Sequence, residues 1–157
     1  MKEAIKRNFD VIGFSAHAYT PMDCSWCMSL ETTEEYKEEI LRLKEAYKGK
    51  IKVLAGLEMD YFSQCDTSWC DYTIGSVHYV FKNGKYCDVD NSPEKFQKIV
   101  NDCYNGDVYA FIEDYYALVA DVYNKTKCDI IGQYVLSFLV CPQNRLIDIV
   151  IKPNLQA

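Results

Sequence analysis

The chain holds two histidines, His17 and His78, and each closes a short apolar run: Gly13-Phe14-Ser15-Ala16-His17 and Ile74-Gly75-Ser76-Val77-His78. A third run, Ala55-Gly56-Leu57, delivers Glu58 in the same way. Imidazole nitrogens and a carboxylate are the usual donors for zinc, iron or manganese in hydrolytic sites. Taken singly, a strand-end histidine is more often a hydrogen-bonded, part-buried residue, and a strand-end glutamate usually faces water. Three such residues at equivalent strand ends point instead to a shared site.

The elements that must position them alternate between strand and helix. Asp10 to Ser15, Ile51 to Leu57, Tyr72 to Val77 and Cys128 to Gly132 read as strands, and Leu146 to Ile151 as a last one. Thr32 to Lys48 reads as a helix, with Thr32 and Glu35 as a capping box and Gly49 as its stop. Tyr36, Ile40, Leu43 and Tyr47 fall on one of its faces. Ser92-Pro93 opens a second helix with Phe96, Ile99, Val100 and Cys103 as its buried stripe. Val108 to Val122 marks a third, and Asn83-Gly84 a tight turn. Repeated strand-then-helix order predicts an α/β fold with a mostly parallel sheet, which places its chemistry at the C-terminal ends of the strands.

Composition bounds the function. The 157 residues are 49% hydrophobic and 14% aromatic, enough for one cored domain. A net charge of −6 argues against nucleic acid or an anionic membrane as the main partner. No apolar run approaches the roughly 20 residues of a membrane span. The start, Met1 to Arg7, has no apolar segment behind it, so no secretory signal and a cytoplasmic location are expected. In that compartment the 8 cysteines are read as reduced thiols. Cys24 and Cys27 have C-x-x-C spacing, but Cys65 and Cys70 are too loosely spaced for the tight second pair that structural zinc sites use.

Gly13-Phe14-Ser15-Ala16-His17-Ala18, Gly56-Leu57-Glu58-Met59-Asp60-Tyr61 and Tyr72-Thr73-Ile74-Gly75-Ser76-Val77-His78 resemble successive motifs of the polymerase-and-histidinol-phosphatase (PHP) superfamily, in its histidinol-phosphatase branch. Asn105-Gly106-Asp107, Asp114-Tyr115-Tyr116 and Cys128-Asp129-Ile130-Ile131-Gly132 stand where that branch has similar segments. The resemblance covers residues 3 to 133. It implies a distorted barrel of strands ringed by helices, of which this chain would be a fragment. The domain expectation is a partial PHP domain over 1–133 and a divergent tail over 134–157. It also implies that His17, Glu58 and His78 ligate divalent ions (zinc, manganese or iron), with Glu58 as bridging and catalytic carboxylate. The implied reaction is hydrolysis of L-histidinol phosphate, a small phosphorylated metabolite, to histidinol and phosphate by a metal-activated water, in histidine biosynthesis.

The chain departs from the pattern in places. No His-x-His opens it, Ser15-Ala16-His17 stands for Ser-Asp-His, Gln133 stands where the branch has histidine, and a late Asp-x-His is missing. Glutamine lacks an imidazole nitrogen and is read as a poor ligand. A complete barrel takes about 250 residues, so a truncated or frameshifted product is expected. The alternatives are therefore a catalytically inactive remnant with a weak or absent metal site, and a zinc-binding module built on Cys24, Cys27, Cys65 and Cys70. Substrate-contacting residues and oligomeric state are not readable from the sequence.

Overall fold

The structure is a computed structural model and describes residues 1–22 and 25–133. Cys24, the tail over 134–157 and the expected strand Leu146 to Ile151 lie outside the described residues. The elements in chain order are α1 (Lys2–Lys6), β1 (Val11–His17), α2 (Leu30–Ala46), β2 (Lys52–Asp60), β3 (Tyr72–Ser76), β4 (Tyr79–Lys82), β5 (Lys85–Asp88), α3 (Pro93–Tyr104), α4 (Val108–Thr126) and β6 (Ile130–Ile131). Strands β1, β2, β3 and β6 lie side by side in that order, each parallel to its neighbour. The fold is α/β with a mostly parallel sheet, as the alternation predicts.

The boundaries differ from expectation in several places. Helix α2 starts one turn early: the Ser29 hydroxyl accepts the Thr32 N–H at 3.1 Å while the Ser29 N–H donates to Thr32 Oγ1 at 2.8 Å. The capping box is therefore Ser29 with Thr32, and Glu35 takes no part in it. Strand β2 runs on to Asp60, so Glu58 lies inside it, and β3 stops at Ser76, two residues short of His78. Strands β4 and β5 and helix α1 carry no strong periodic signal and were not anticipated. Asn83 and Gly84, at φ 51° and 78°, make the expected turn between β4 and β5, both in the left-handed conformation that a two-residue hairpin needs.

Two apolar clusters join the helices to the strands. In one, Tyr36, Ile40, Leu43 and Tyr47 of α2 pack on Val53 and Ala55 of β2 and on Ile12 and Phe14 of β1. The second core joins Val77, Val80 and Val89 to Val100 and Tyr104 of α3 and Phe111, Tyr115 and Val122 of α4.

Two aspartates set the strand alignment. Asp71, just before β3, accepts the Ala55 N–H through Oδ2 at 2.7 Å and donates its own N–H to Ala55 O at 2.8 Å. Asp129, just before β6, repeats the device on Thr73, at 2.8 and 3.0 Å. Each carboxylate satisfies an N–H of the neighbouring strand where ladder pairing begins, and the register follows from there: Gly56 opposite Tyr72, Ile74 opposite Ile130.

Candidate metal site

Side chains alternate across a strand, so β2 turns Val53, Ala55, Leu57 and Met59 to the helix layer and Leu54, Gly56 and Glu58 to the other face. His17 is aligned with Glu58 across the β1–β2 ladder, which brings both to one face at the C-terminal rim. His78 reaches the same point from the segment after β3. One donor atom from each of the three lies within 4.8 Å of the other two.

The Glu58 carboxylate spans the two imidazoles. Its Oε1 accepts the Ser76 hydroxyl at 2.7 Å and stands 3.5 Å from His78 Nε2. Its Oε2 stands 3.7 Å from His17 Nδ1. The His78 imidazole, beyond what burial opposes, and then the Ser76 hydroxyl and His17, hold the Glu58 pKa down to about 2. The carboxylate is thus anionic throughout the neutral range.

Asp60 supports the site from behind. It is 1% exposed, which for a carboxylate demands partners. Its Oδ1 accepts the Phe62 N–H at 2.8 Å and its Oδ2 accepts the His78 N–H at 2.7 Å. Oδ2 also stands 3.2 Å from His78 Nδ1, close but outside hydrogen-bond alignment. Burial pushes the His78 pKa down; the Asp60 and Glu58 carboxylates, with Asp90 further off, override it and raise the value to about 9.

Trp26 closes one side. Its ring meets the His17 ring edge-on with centroids 4.8 Å apart and lies 5.1 Å from that of His78. The indole N–H donates to Tyr79 Oη at 2.6 Å, fixing the ring in place. Neither Trp26 nor the supporting role of Asp60 is visible in the sequence as chemistry. The signal available for Asp60 was its place two residues after Glu58, on the same face of a strand that continues further than its apolar run.

The donors suit a divalent ion. His17 Nδ1, which faces Glu58, is buried without a hydrogen-bond partner, which a protein tolerates chiefly where another group satisfies the atom. Two imidazoles and a carboxylate match zinc, manganese or iron chemistry. Among the described residues this is the group of histidine, cysteine, aspartate or glutamate that could hold an ion. Cys65 and Cys70 instead pack with Leu57 and Met59, and burial pushes both thiols up, Cys70 to about 11. Gln133 lies beyond β6, its amide on Asp90. No helix among the described residues is long and apolar enough to cross a membrane.

No protein-family model matches the chain. Histidinol-phosphatase of Bacillus subtilis is 29% identical over 133 residues, 73% of this chain and 48% of that protein. A Schizosaccharomyces pombe protein named "Probable histidinol-phosphatase" is 29% identical over 164 residues, 92% of this chain and 51% of that one. Among solved structures, histidinol phosphate phosphatase from Lactococcus lactis, complexed with zinc, L-histidinol and phosphate, superposes with a TM-score of 0.50 at 22% identity, over 85% of this chain and 49% of that one. The chain spans about half the length of the curated relatives it matches. It is similar in sequence to histidinol-phosphatases, and its described residues have the fold of part of their barrel.

Proposed function

We propose that the chain is a metal-dependent phosphatase of histidinol-phosphatase type, hydrolysing L-histidinol phosphate to L-histidinol and phosphate in cytoplasmic histidine biosynthesis. The observation that carries this reading is the Glu58 carboxylate, one oxygen facing His78 and the other facing His17 at the rim of a parallel sheet. The names of the relatives, and the ligands of the Lactococcus lactis protein, support the substrate.

In this reading His17, Glu58 and His78 would hold the divalent metal. When bound, divalent cations neutralise phosphoryl charge and acidify water. The chain's own residues do the rest. Ser76 fixes the rotamer of Glu58, Asp60 fixes His78 from behind, and Trp26 with Tyr79 walls off the side where His17 and His78 meet.

The test is turnover of histidinol phosphate by the purified chain, stripped by chelator and reloaded with manganese or zinc. Metal-dependent phosphate release, reduced about 100-fold or more by Glu58→Gln, is the expected result. Turnover that survives both chelation and Glu58→Gln overturns the reading. Metal binding without turnover replaces it with that of an inactive remnant.

A further inference from the structure

We propose that Gln133 is a further ligand of the metal site, its amide Oε1 joining His17, Glu58 and His78 and biasing the site toward oxygen-preferring dications such as manganese over zinc. The proposal rests on the metal reading above and adds a donor and a selectivity to it.

Three buried side-chain atoms among the described residues lack a hydrogen-bond partner: His17 Nδ1, His78 Nδ1 and Gln133 Oε1. Two belong to the candidate ligands. The third belongs to a residue set aside in the sequence for lacking an imidazole.

Gln133 is anchored at both ends. Its Nε2 donates to Asp90 Oδ2 at 2.7 Å, and its backbone carbonyl accepts the hydroxyl of the fully buried Tyr115 at 2.7 Å. A carboxylate only accepts, so the group on Asp90 must be the NH2, and the amide oxygen faces the other way. The backbone at Gln133 sits at φ 43°, a left-handed conformation that is unfavourable for a residue with a Cβ and that persists where its surroundings impose it.

Its neighbours place it beside the site. Gly132 donates its N–H to Gly75 O at 2.9 Å, and a Cβ at Gly132 would stand 2.7 Å from Ser76 Oγ, the hydroxyl that holds Glu58. Asp90, which holds the Gln133 amide, lies near enough for its charge to act on His78.

A neutral amide oxygen is a hard donor. It adds to a carboxylate the ligand type that manganese and magnesium favour, whereas imidazole in that place would favour zinc. Asp90 holds the NH2 much as carboxylates behind metal-bound histidines hold the far ring nitrogen.

The experiment is calorimetric titration of the chelator-stripped chain with manganese and with zinc, for the wild type, Gln133→Leu and Gln133→His, with circular dichroism confirming that each variant is folded. Gln133→Leu is expected to weaken manganese binding about 10-fold or more and zinc binding less; Gln133→His is expected to shift preference toward zinc. A second measurement needs no variant: stoichiometric manganese should broaden the Gln133 side-chain amide resonances of the wild type. An unchanged manganese-to-zinc affinity ratio in Gln133→Leu, or an unbroadened Gln133 amide in manganese-bound wild type, overturns the proposal and leaves the three-residue site standing. Wild type that binds neither ion overturns the metal reading and this proposal with it.

Discussion

Asp60 grips His78 twice, accepting its backbone N–H at 2.7 Å and standing 3.2 Å from Nδ1 of the same residue. One buried carboxylate therefore holds the chain by a hydrogen bond and sets its charge beside the ring, and the remaining nitrogen, Nε2, is turned toward Glu58. Asp60→Ala leaves the Phe62 and His78 N–H groups without acceptors and is expected to cost about 3 kcal/mol or more in urea unfolding of the metal-free protein. Asp60→Asn should fold better yet bind manganese or zinc about 10-fold to 100-fold more weakly. Wild-type affinity in Asp60→Asn, measured by calorimetry, would mean that His78 needs no such support.

The same contacts make the metal-free protein sensitive to pH. The His78 pKa is raised from 6.5 to about 9, so the stability it contributes is complete below pH 6.5 and lost as pH rises through about 9. The Glu58 pKa is lowered from 4.5 to about 2, so its contribution is complete above pH 4.5 and lost as pH falls through about 2. These are largely two views of one set of charges and count once, on the order of 2–3 kcal/mol. The Tm of chelator-treated protein should be highest between pH 4.5 and 6.5 and fall toward pH 9.5. A Tm that holds level from pH 6 to 9.5 would remove this electrostatic account.

Metal should reverse the alkaline loss. A cation that takes His78 must displace its proton, so added manganese or zinc is expected to raise Tm clearly at pH 8 and scarcely at pH 5.5. Glu58→Gln should abolish the increment, since it removes the anionic donor between His17 and His78. Cys24→Ser with Cys27→Ser should leave it intact. The opposite pattern, loss with the cysteine pair and retention with Glu58→Gln, assigns the ion to thiols.

Tyr72 packs across the strands where two glycines leave room. A Cβ at Gly13 would stand 2.5 Å from Tyr72 Oη, and one at Gly56 would meet the same ring closer still. Gly56→Ala should therefore destabilise the protein by about 1–3 kcal/mol. Adding Tyr72→Ala should cost less in Gly56→Ala than in wild type, because the ring is already displaced. Additive costs in this double-mutant cycle would show that the ring and the glycine do not interact.

How far the sequence could be read follows the strength of local signals. Ile51, Val53, Leu54, Ala55 and Leu57 make an apolar run, so the strand that carries Glu58 was legible, as were α3 with its Ser92 cap and the α2 stripe of Tyr36 and Ile40. The end of β2 was not, because Glu58 and Asp60 break the apolar run that marks a strand while the backbone continues pairing with β3. Strands β4 and β5, of 4 residues each, are too short to show a period and were visible only through the turn between them. The partners of Asp60, Trp26 and Gln133 depend on contacts between segments far apart in the chain, such as Trp26 with Tyr79, which no local pattern encodes.

The paired aspartates, Asp71 and Asp129, have a consequence for how the gene can change in length. They lock the phase of β3 against β2 and of β6 against β3, and side chains swap faces at every residue. An insertion or deletion of one codon between Lys52 and Glu58 would put Leu57 or Met59 at the rim and drive Glu58 into the apolar cluster of Ala18 and Cys65. One of two codons would restore the face but shift the carboxylate a full pleat, about 7 Å, from both histidines. Length changes should accumulate instead at the Asn83-Gly84 turn, where an added residue enlarges a loop and moves no ligand. A library of single-codon insertions scored for folded protein should trace that boundary, with survivors clustered at the hairpin and absent from the strand.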